Sequence, residues 1–213
     1  MNRLLRLTGL LFAAFLMLLN SRAPAFAGET QSVLSLVPNP ANVEQLPGKF
    51  LIDAGTSIAV DGHAPLLKDV GKFLASRLRE STGYLLPLDT AAVPEGPLKR
   101  IYLSLAPGGS APGGEGYELA VTGNGIRITA KGAAGAFYAL QTLFQLLPPE
   151  FEYAAPVYGV AWDVPCVRVQ DAPRFSWRGM HLDVGRHFFG KKFVEEYIDL
   201  ISRYKFNVFH WHL

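Results

Sequence analysis

Arg178-Gly-Met-His-Leu-Asp-Val184 is a short, mostly apolar run, and Gly185-Arg-His-Phe-Phe189 follows it as a loop. Residues 190–204 then place Phe193, Val194, Tyr197, Ile198, Ile201 and Tyr204 at helical spacing on one side. Asn207-Val-Phe-His-Trp-His-Leu213 reads as a second strand. Strand, loop, helix and strand at this spacing form one βαβ crossover, which implies a parallel pair. Two parallel strands have no complete partner layers and do not make a finished domain. The last strand runs to Leu213 with no turn or cap, so the expectation is a larger α/β unit that continues outside this chain. Taken alone, residues 174–213 are expected to be poorly ordered or aggregation-prone, because exposed parallel strands present unpaired edges.

Upstream, Asp171-Ala-Pro173 is a boundary candidate, and residues 151–173 read as a connector with an extended stretch over 164–169. Residues 30–150 read as an α+β domain, a sheet with two helices on one face. Val33-Leu-Ser-Leu-Val37, Phe50-Leu-Ile52, Ser57-Ile-Ala-Val60 and Ile101-Tyr-Leu-Ser-Leu105 are strand candidates. Pro65 opens a helix with Leu66, Val70, Phe73, Leu74, Arg77 and Leu78 in one stripe, and Gly83 suits its C-cap. Tyr117-Glu-Leu-Ala-Val121 and Ile126-Arg-Ile-Thr-Ala130 alternate around Gly123-Asn-Gly125, a hairpin signal. A second helix starts after Gly132 and shares Phe137, Leu140, Leu143, Phe144 and Leu147 on a face, until Pro148-Pro149 ends it. The glycine-rich loop over 107–116 lacks the Lys-Ser/Thr ending of a phosphate cradle and does not lead into a helix, so it reads as a flexible loop.

Residues 1–27 combine Arg3 and Arg6, an apolar run over 10–19 and Ala25-Phe-Ala27, the pattern of a secretory signal peptide. The run is short for a membrane span, so export to a periplasmic or extracellular space is expected, without stable membrane insertion. The 213 residues carry 20 Lys plus Arg and 18 Asp plus Glu, a net charge of +2. Removing Arg3, Arg6 and Arg22 with the leader leaves 17 basic and 18 acidic residues, or −1. With no basic run either, there is no electrostatic case for nucleic acid. The single Cys166 excludes an internal disulfide framework and a thiolate zinc cluster, and its apolar setting suggests a buried small hydrophobe.

In βα architectures function collects at the carboxyl ends of strands, which here means residues 183–189. Arg186 offers a planar fork of donors suited to neighbouring sugar hydroxyls; it could equally pair with Asp183. His187 reads as an orienting or packing residue. His210 and His212 share a strand face and read as a hydrogen-bonded core pair rather than a metal site, since further ligands are not evident. Asp183 and Asp163 would form a carboxylate pair only if the fold brought them together.

Trp177-Arg-Gly-Met-His-Leu-Asp-Val-Gly-Arg-His-Phe-Phe189, followed by a helix and Lys205-Phe-Asn-Val-Phe-His-Trp-His-Leu213, resembles the opening of the catalytic barrel of glycoside hydrolase family 20, the β-N-acetylhexosaminidases. The upstream region, including Gly132-Ala-Ala-Gly-Ala-Phe-Tyr-Ala-Leu-Gln-Thr-Leu143, resembles that family's accessory α+β domain. The resemblance implies that residues 174–213 begin a truncated (β/α)8 TIM barrel. It implies a secreted enzyme removing terminal β-linked N-acetylglucosamine or N-acetylgalactosamine, by retaining, substrate-assisted hydrolysis and without a cofactor. The sugar's acetamido oxygen attacks the anomeric carbon, an aspartate orients that group, and the adjacent glutamate protonates the leaving oxygen. The family's arginine for ring hydroxyls falls on Arg186. The Asp-Glu pair is expected beyond Leu213, as is the tryptophan-lined pocket, so this chain on its own is expected to be an inactive N-terminal fragment. Two other readings stay open: another N-acetylglucosaminidase-type barrel glycosidase with the same accessory domain, and a non-catalytic carbohydrate-binding module.

Overall fold

The computed structural model describes residues 34–91, 99–106, 108 and 114–213. The leader over 1–27 and residues 107 and 109–113 of the glycine-rich loop lie outside the described residues. The elements in chain order are β1 Asn42–Leu51, β2 Ser57–Asp61, α1 Leu67–Thr82, β3 Leu88–Ala91, β4 Arg100–Leu105, β5 Tyr117–Thr122, β6 Gly125–Ala130 and α2 Ala133–Leu146. A 3-10 turn over Pro149–Glu152 leads to β7 Asp163–Asp171, β8 Gly179–Asp183, α3 Lys191–Arg203 and β9 Val208–His212.

Among the described residues, β1 to β7 form one sheet in the order β1-β7-β5-β6-β4-β2-β3. Its β2, β3, β4 and β6 pairings are parallel, and the β6-β5-β7-β1 half is antiparallel. Both helices cover one face, as expected. Leu67, Leu74 and Leu78 of α1 and Leu140 and Leu143 of α2 are buried in one cluster with Ile58, Val60, Ile101, Leu103, Ile126 and Ile128 of the sheet. At about 25 cal/mol per Å2 of apolar area, such burial is the main term holding the domain together. Gly83 ends α1 in the left-handed region at φ 71°. Gly71 lets α1 approach β2 closely, since a Cβ there would meet Val60 Cγ1 at 2.7 Å.

Two expectations are corrected. Residues 163–171 are not a connector: β7 sits between β1 and β5, so the sheet extends to Asp171. A proline inside a central strand argues against a strand. Here Pro165, in register with Lys49, lies past the end of the β5 pairing at Val167 and beside a β1 bulge in which three residues (Leu46, Pro47, Gly48) face Cys166 alone. Of the expected strand over 33–37, Val33 lies outside the described residues and 34–37 is not a strand; the first strand among the described residues begins at Asn42. The expected hairpin is present, with Gly123-Asn124 as its loop since Thr122 pairs directly with Gly125; the Thr122 hydroxyl closes the turn by accepting from the Asn124 N–H and donating to the Gly125 carbonyl.

The expected crossover is present: β8 and β9 pair in parallel, joined through α3. Cys166 is buried, and that burial pushes its thiol pKa up, which suits a structural thiol.

Candidate functional site

The register of the parallel pair sets Gly179 beside Val208, His181 beside His210 and Asp183 beside His212. Alternation then puts Phe209 and Trp211 on the face toward α3, where Phe209 lies 5.7 Å from Tyr197 between ring centroids. His181, Asp183, His210 and His212 occupy the opposite face. His181 lies 4.6 Å from His210 and 6.0 Å from His212. The His210–His212 core pair is therefore a misreading. Both rings are exposed; His212 bonds Asp183 and His210 lies against His181. Same-face geometry was right, but the acceptor comes from the neighbouring strand.

Beyond the strand ends, Asp183 gathers the loop. Its Oδ1 accepts from the Arg186 backbone N–H at 3.0 Å and lies 3.0 Å from His212 Nδ1, while its Oδ2 takes Arg186 Nε at 2.8 Å. The Arg186 backbone bond is the chief reason its carboxyl is held below the usual range, with His212 adding to it. The Val184 N–H donates to the His212 carbonyl at 3.0 Å and locks the two strand ends together. Arg186 itself is 87% exposed along its side chain. Among the described residues its Nη1 and Nη2 have no protein acceptor. The two readings of Arg186, ion pair and ligand binder, thus use different edges of one guanidinium. His187 packs on Phe189 at 4.9 Å, and Phe189 stacks on Phe193 at 4.3 Å, pinning the loop to the first turn of α3.

His181, Asp183 and His212 each offer a ligand atom, all within 4.8 Å of one another. A cation there would have to displace Arg186 from Asp183 and face the guanidinium charge, so these residues serve an ion pair better than a metal. Asp163 does not join Asp183: it pairs with Lys49 at 3.5 Å. A cavity of about 560 Å3 lies elsewhere, bounded by Phe73, Phe137, Phe144 and Phe151 with α3. Three of its charged groups are already paired, Arg203 with Glu152 at 2.6 Å and Arg77 with Glu80 at 3.0 Å.

A second polar cluster, which the sequence did not disclose, ties the amino ends of β8 and β9 to the sheet domain. Arg178 donates from Nη1 and Nη2 to both Glu115 oxygens, at 3.1 and 2.9 Å, from Nη2 to the Tyr138 hydroxyl and from Nε to the Lys205 carbonyl. Lys205, 4% exposed, donates from Nζ to Tyr117 Oη at 2.8 Å and to Asp171 Oδ2 at 3.0 Å. Tyr117 Oη also donates to Asp171 Oδ2 and lies 2.7 Å from Thr142 Oγ1. Burial pushes the Lys205 pKa down against the pull of Asp171. Lys205 adopts φ 63°, a conformation costing a non-glycine residue about 1–2 kcal/mol. The buried ion pair holds it there. The sheet domain therefore grips the amino ends of the parallel strands and leaves their carboxyl ends, with Arg186, open.

Residues 33–172 match Glycosyl hydrolase family 20, domain 2, and residues 175–213 match the catalytic domain of the same family. A β-hexosaminidase of Porphyromonas gingivalis is 37% identical over 180 residues, covering 84% of this chain and 22% of the relative. A β-N-acetylhexosaminidase of Cellulomonas fimi is 34% identical over 181 residues, covering 84% and 34%. Among solved structures, the N-acetyl-β-hexosaminidase of Streptomyces plicatus, in complex with Thio-NAglucal, superposes with a TM-score of 0.75 at 44% identity. It matches 84% of this chain and 34% of its own. The chain thus spans about a fifth to a third of the length of these relatives. With both of its parts matched, one to the family's second domain and the other to the opening of its catalytic domain, the chain belongs to glycosyl hydrolase family 20.

Proposed function

We propose that this chain is the N-terminal part of an exported exo-β-N-acetylhexosaminidase, in which β8 and β9 are the first two strands of a (β/α)8 barrel and Arg186 binds the terminal aminosugar. The observation that carries the reading is the Arg186 guanidinium at the carboxyl end of β8, held by Nε and open at both terminal nitrogens. Four N–H donors in one plane suit two adjacent ring hydroxyls. The barrel rule places binding groups at this end of the strands. The Streptomyces plicatus relative, solved with GlcNAc, supplies the substrate class. Hydrolysis on this reading is retaining and substrate-assisted. Its acid and its acetamido-orienting aspartate form an adjacent Asp-Glu pair; no Asp is directly followed by a Glu in the 213 residues. Residues 1–213 then bind one side of the sugar but supply no general acid, and by themselves give no turnover.

Arg186→Ala in the full-length hexosaminidase tests this. With a chromogenic N-acetylglucosaminide, kcat/KM should fall by a factor corresponding to about 2 kcal/mol or more. An unchanged kcat/KM would remove Arg186 from the sugar site.

A further inference from the structure

The geometry points to Asp183 as the positioning residue of the sugar site, a carboxylate that fixes the Arg186 guanidinium by its Nε edge so that its terminal nitrogens face the ligand. The inference rests on the sugar-binding reading of Arg186. Arg186 is exposed along almost its whole side chain, and a free arginine carries more rotamer entropy than most side chains. A donor fork that must be immobilised on binding loses affinity by that ordering. Asp183 removes much of the freedom beforehand. It holds Arg186 at two points, the backbone N–H and Nε, so both ends of the side chain's first torsions are fixed.

Asp183 is itself immobilised. It is the last residue of β8, its side chain is 21% exposed, and His212 Nδ1 meets its Oδ1 from the neighbouring strand. The Val184 N–H bonded to the His212 carbonyl keeps that imidazole at the required distance. The carboxylate therefore refers the loop arginine to the parallel strand pair, the rigid part of this region. Charge pairing at Nε rather than at Nη1 or Nη2 matters. A bidentate terminal pairing would occupy the edge the sugar needs, whereas the observed one leaves it open.

Four forms of the full-length hexosaminidase are compared: wild type, Asp183→Asn, Arg186→Ala and the double variant. The readouts are the Kd of N-acetylglucosamine by calorimetry, and kcat and KM separately. Asp183→Asn keeps a carbonyl acceptor and loses the charge. It should weaken N-acetylglucosamine at least about tenfold and raise KM more than it lowers kcat. The double variant should bind within about twofold of Arg186→Ala, because Asp183 acts through Arg186. Losses that multiply in the double variant, or wild-type binding by Asp183→Asn, overturn the assignment. If Arg186→Ala binds like wild type, the sugar-binding reading itself falls, and this inference with it. Arg186→Lys covers the case in which Asp183→Asn does not fold. A lysine can pair with Asp183 or meet the sugar but has no second edge, so about tenfold weaker binding is expected, and wild-type affinity sinks the proposal.

Discussion

A methyl group at Gly135 would lie 2.5 Å from the Gly116 carbonyl oxygen and 3.0 Å from that of Glu115. Both contacts are backbone, which cannot rotate aside. Alanine normally favours a helix over glycine by about 1 kcal/mol. Overpacking against fixed backbone costs about 1–3 kcal/mol, so the clash wins. Gly135→Ala should therefore lower the unfolding free energy in urea by roughly 1–2 kcal/mol; unchanged or raised stability would show that the Glu115 segment yields. The sequence placed Gly132-Ala-Ala-Gly-Ala at a helix start and carried a family resemblance there. It could not show why Gly135 must lack a side chain, because the obstacle is a loop about twenty residues upstream. The place of Arg186 just past the carboxyl end of a strand was legible for the opposite reason. A lone cation between an apolar strand and two phenylalanines announces itself locally. Lys205 did not: a lysine just past a helix reads as solvated, and its burial depends on Asp171, 34 residues away.

At the level of elements, the sheet was read correctly where each strand carried its own pattern, as in β4, β5 and β6. It was misread where two irregular strands complement each other. A proline at 165 argues against a strand, yet Pro165 pairs with Lys49 beside the β1 bulge that carries Pro47 and Gly48, and the β1–β7 ladder runs through both. The contact between elements that matters most for the site is the clamp of Arg178 on Glu115, and it titrates. The Arg178 hydrogen bond holds the Glu115 carboxyl below its ordinary value of 4.5, against the opposing effect of burial. A depressed carboxyl contributes stability that is complete above its unfolded value and lost as pH falls through the folded one. The clamp's share is therefore full at pH 6–7, starts to fall as pH drops through the ordinary value of 4.5, and is lost below the depressed folded value. Glu115 is 29% exposed, so solvent screening limits that share to about 1 kcal/mol. Urea titrations at pH 6 and pH 3 should show wild type losing more stability than Glu115→Gln over that interval. Parallel losses would mean that the carboxylate contributes no ionised contact.

Across the whole molecule, stability is distributed unevenly, and the distribution follows from what each part buries. The seven-stranded sheet has fully buried side chains under two helices. The β8–β9 pair has, among the described residues, no further strand on either edge. Around it Met180, Phe193, Ile198, Tyr204 and Trp211 remain partly exposed. What secures the pair is polar and lies at one end: Arg178 and Lys205 fasten its amino side to the sheet domain. The carboxyl side depends on Asp183, His212 and the stacked rings of Phe189 and Phe193. Opening should therefore begin at the loop over 184–190 and spread toward the clamp, rather than start at the junction over 172–178. Trypsin distinguishes the two, since Arg186, Lys191 and Lys192 are 87–90% exposed while Arg178 is 15% exposed. Within residues 114–213 of the 213-residue chain, the first cut is expected at Arg186, Lys191 or Lys192. Residues 114–178 should persist through it, because their backbone remains tied through Glu115, Tyr117 and Asp171. A first cut at Arg178 would mean that the clamp opens before the loop, and that the sheet domain does not hold the amino ends of the parallel strands.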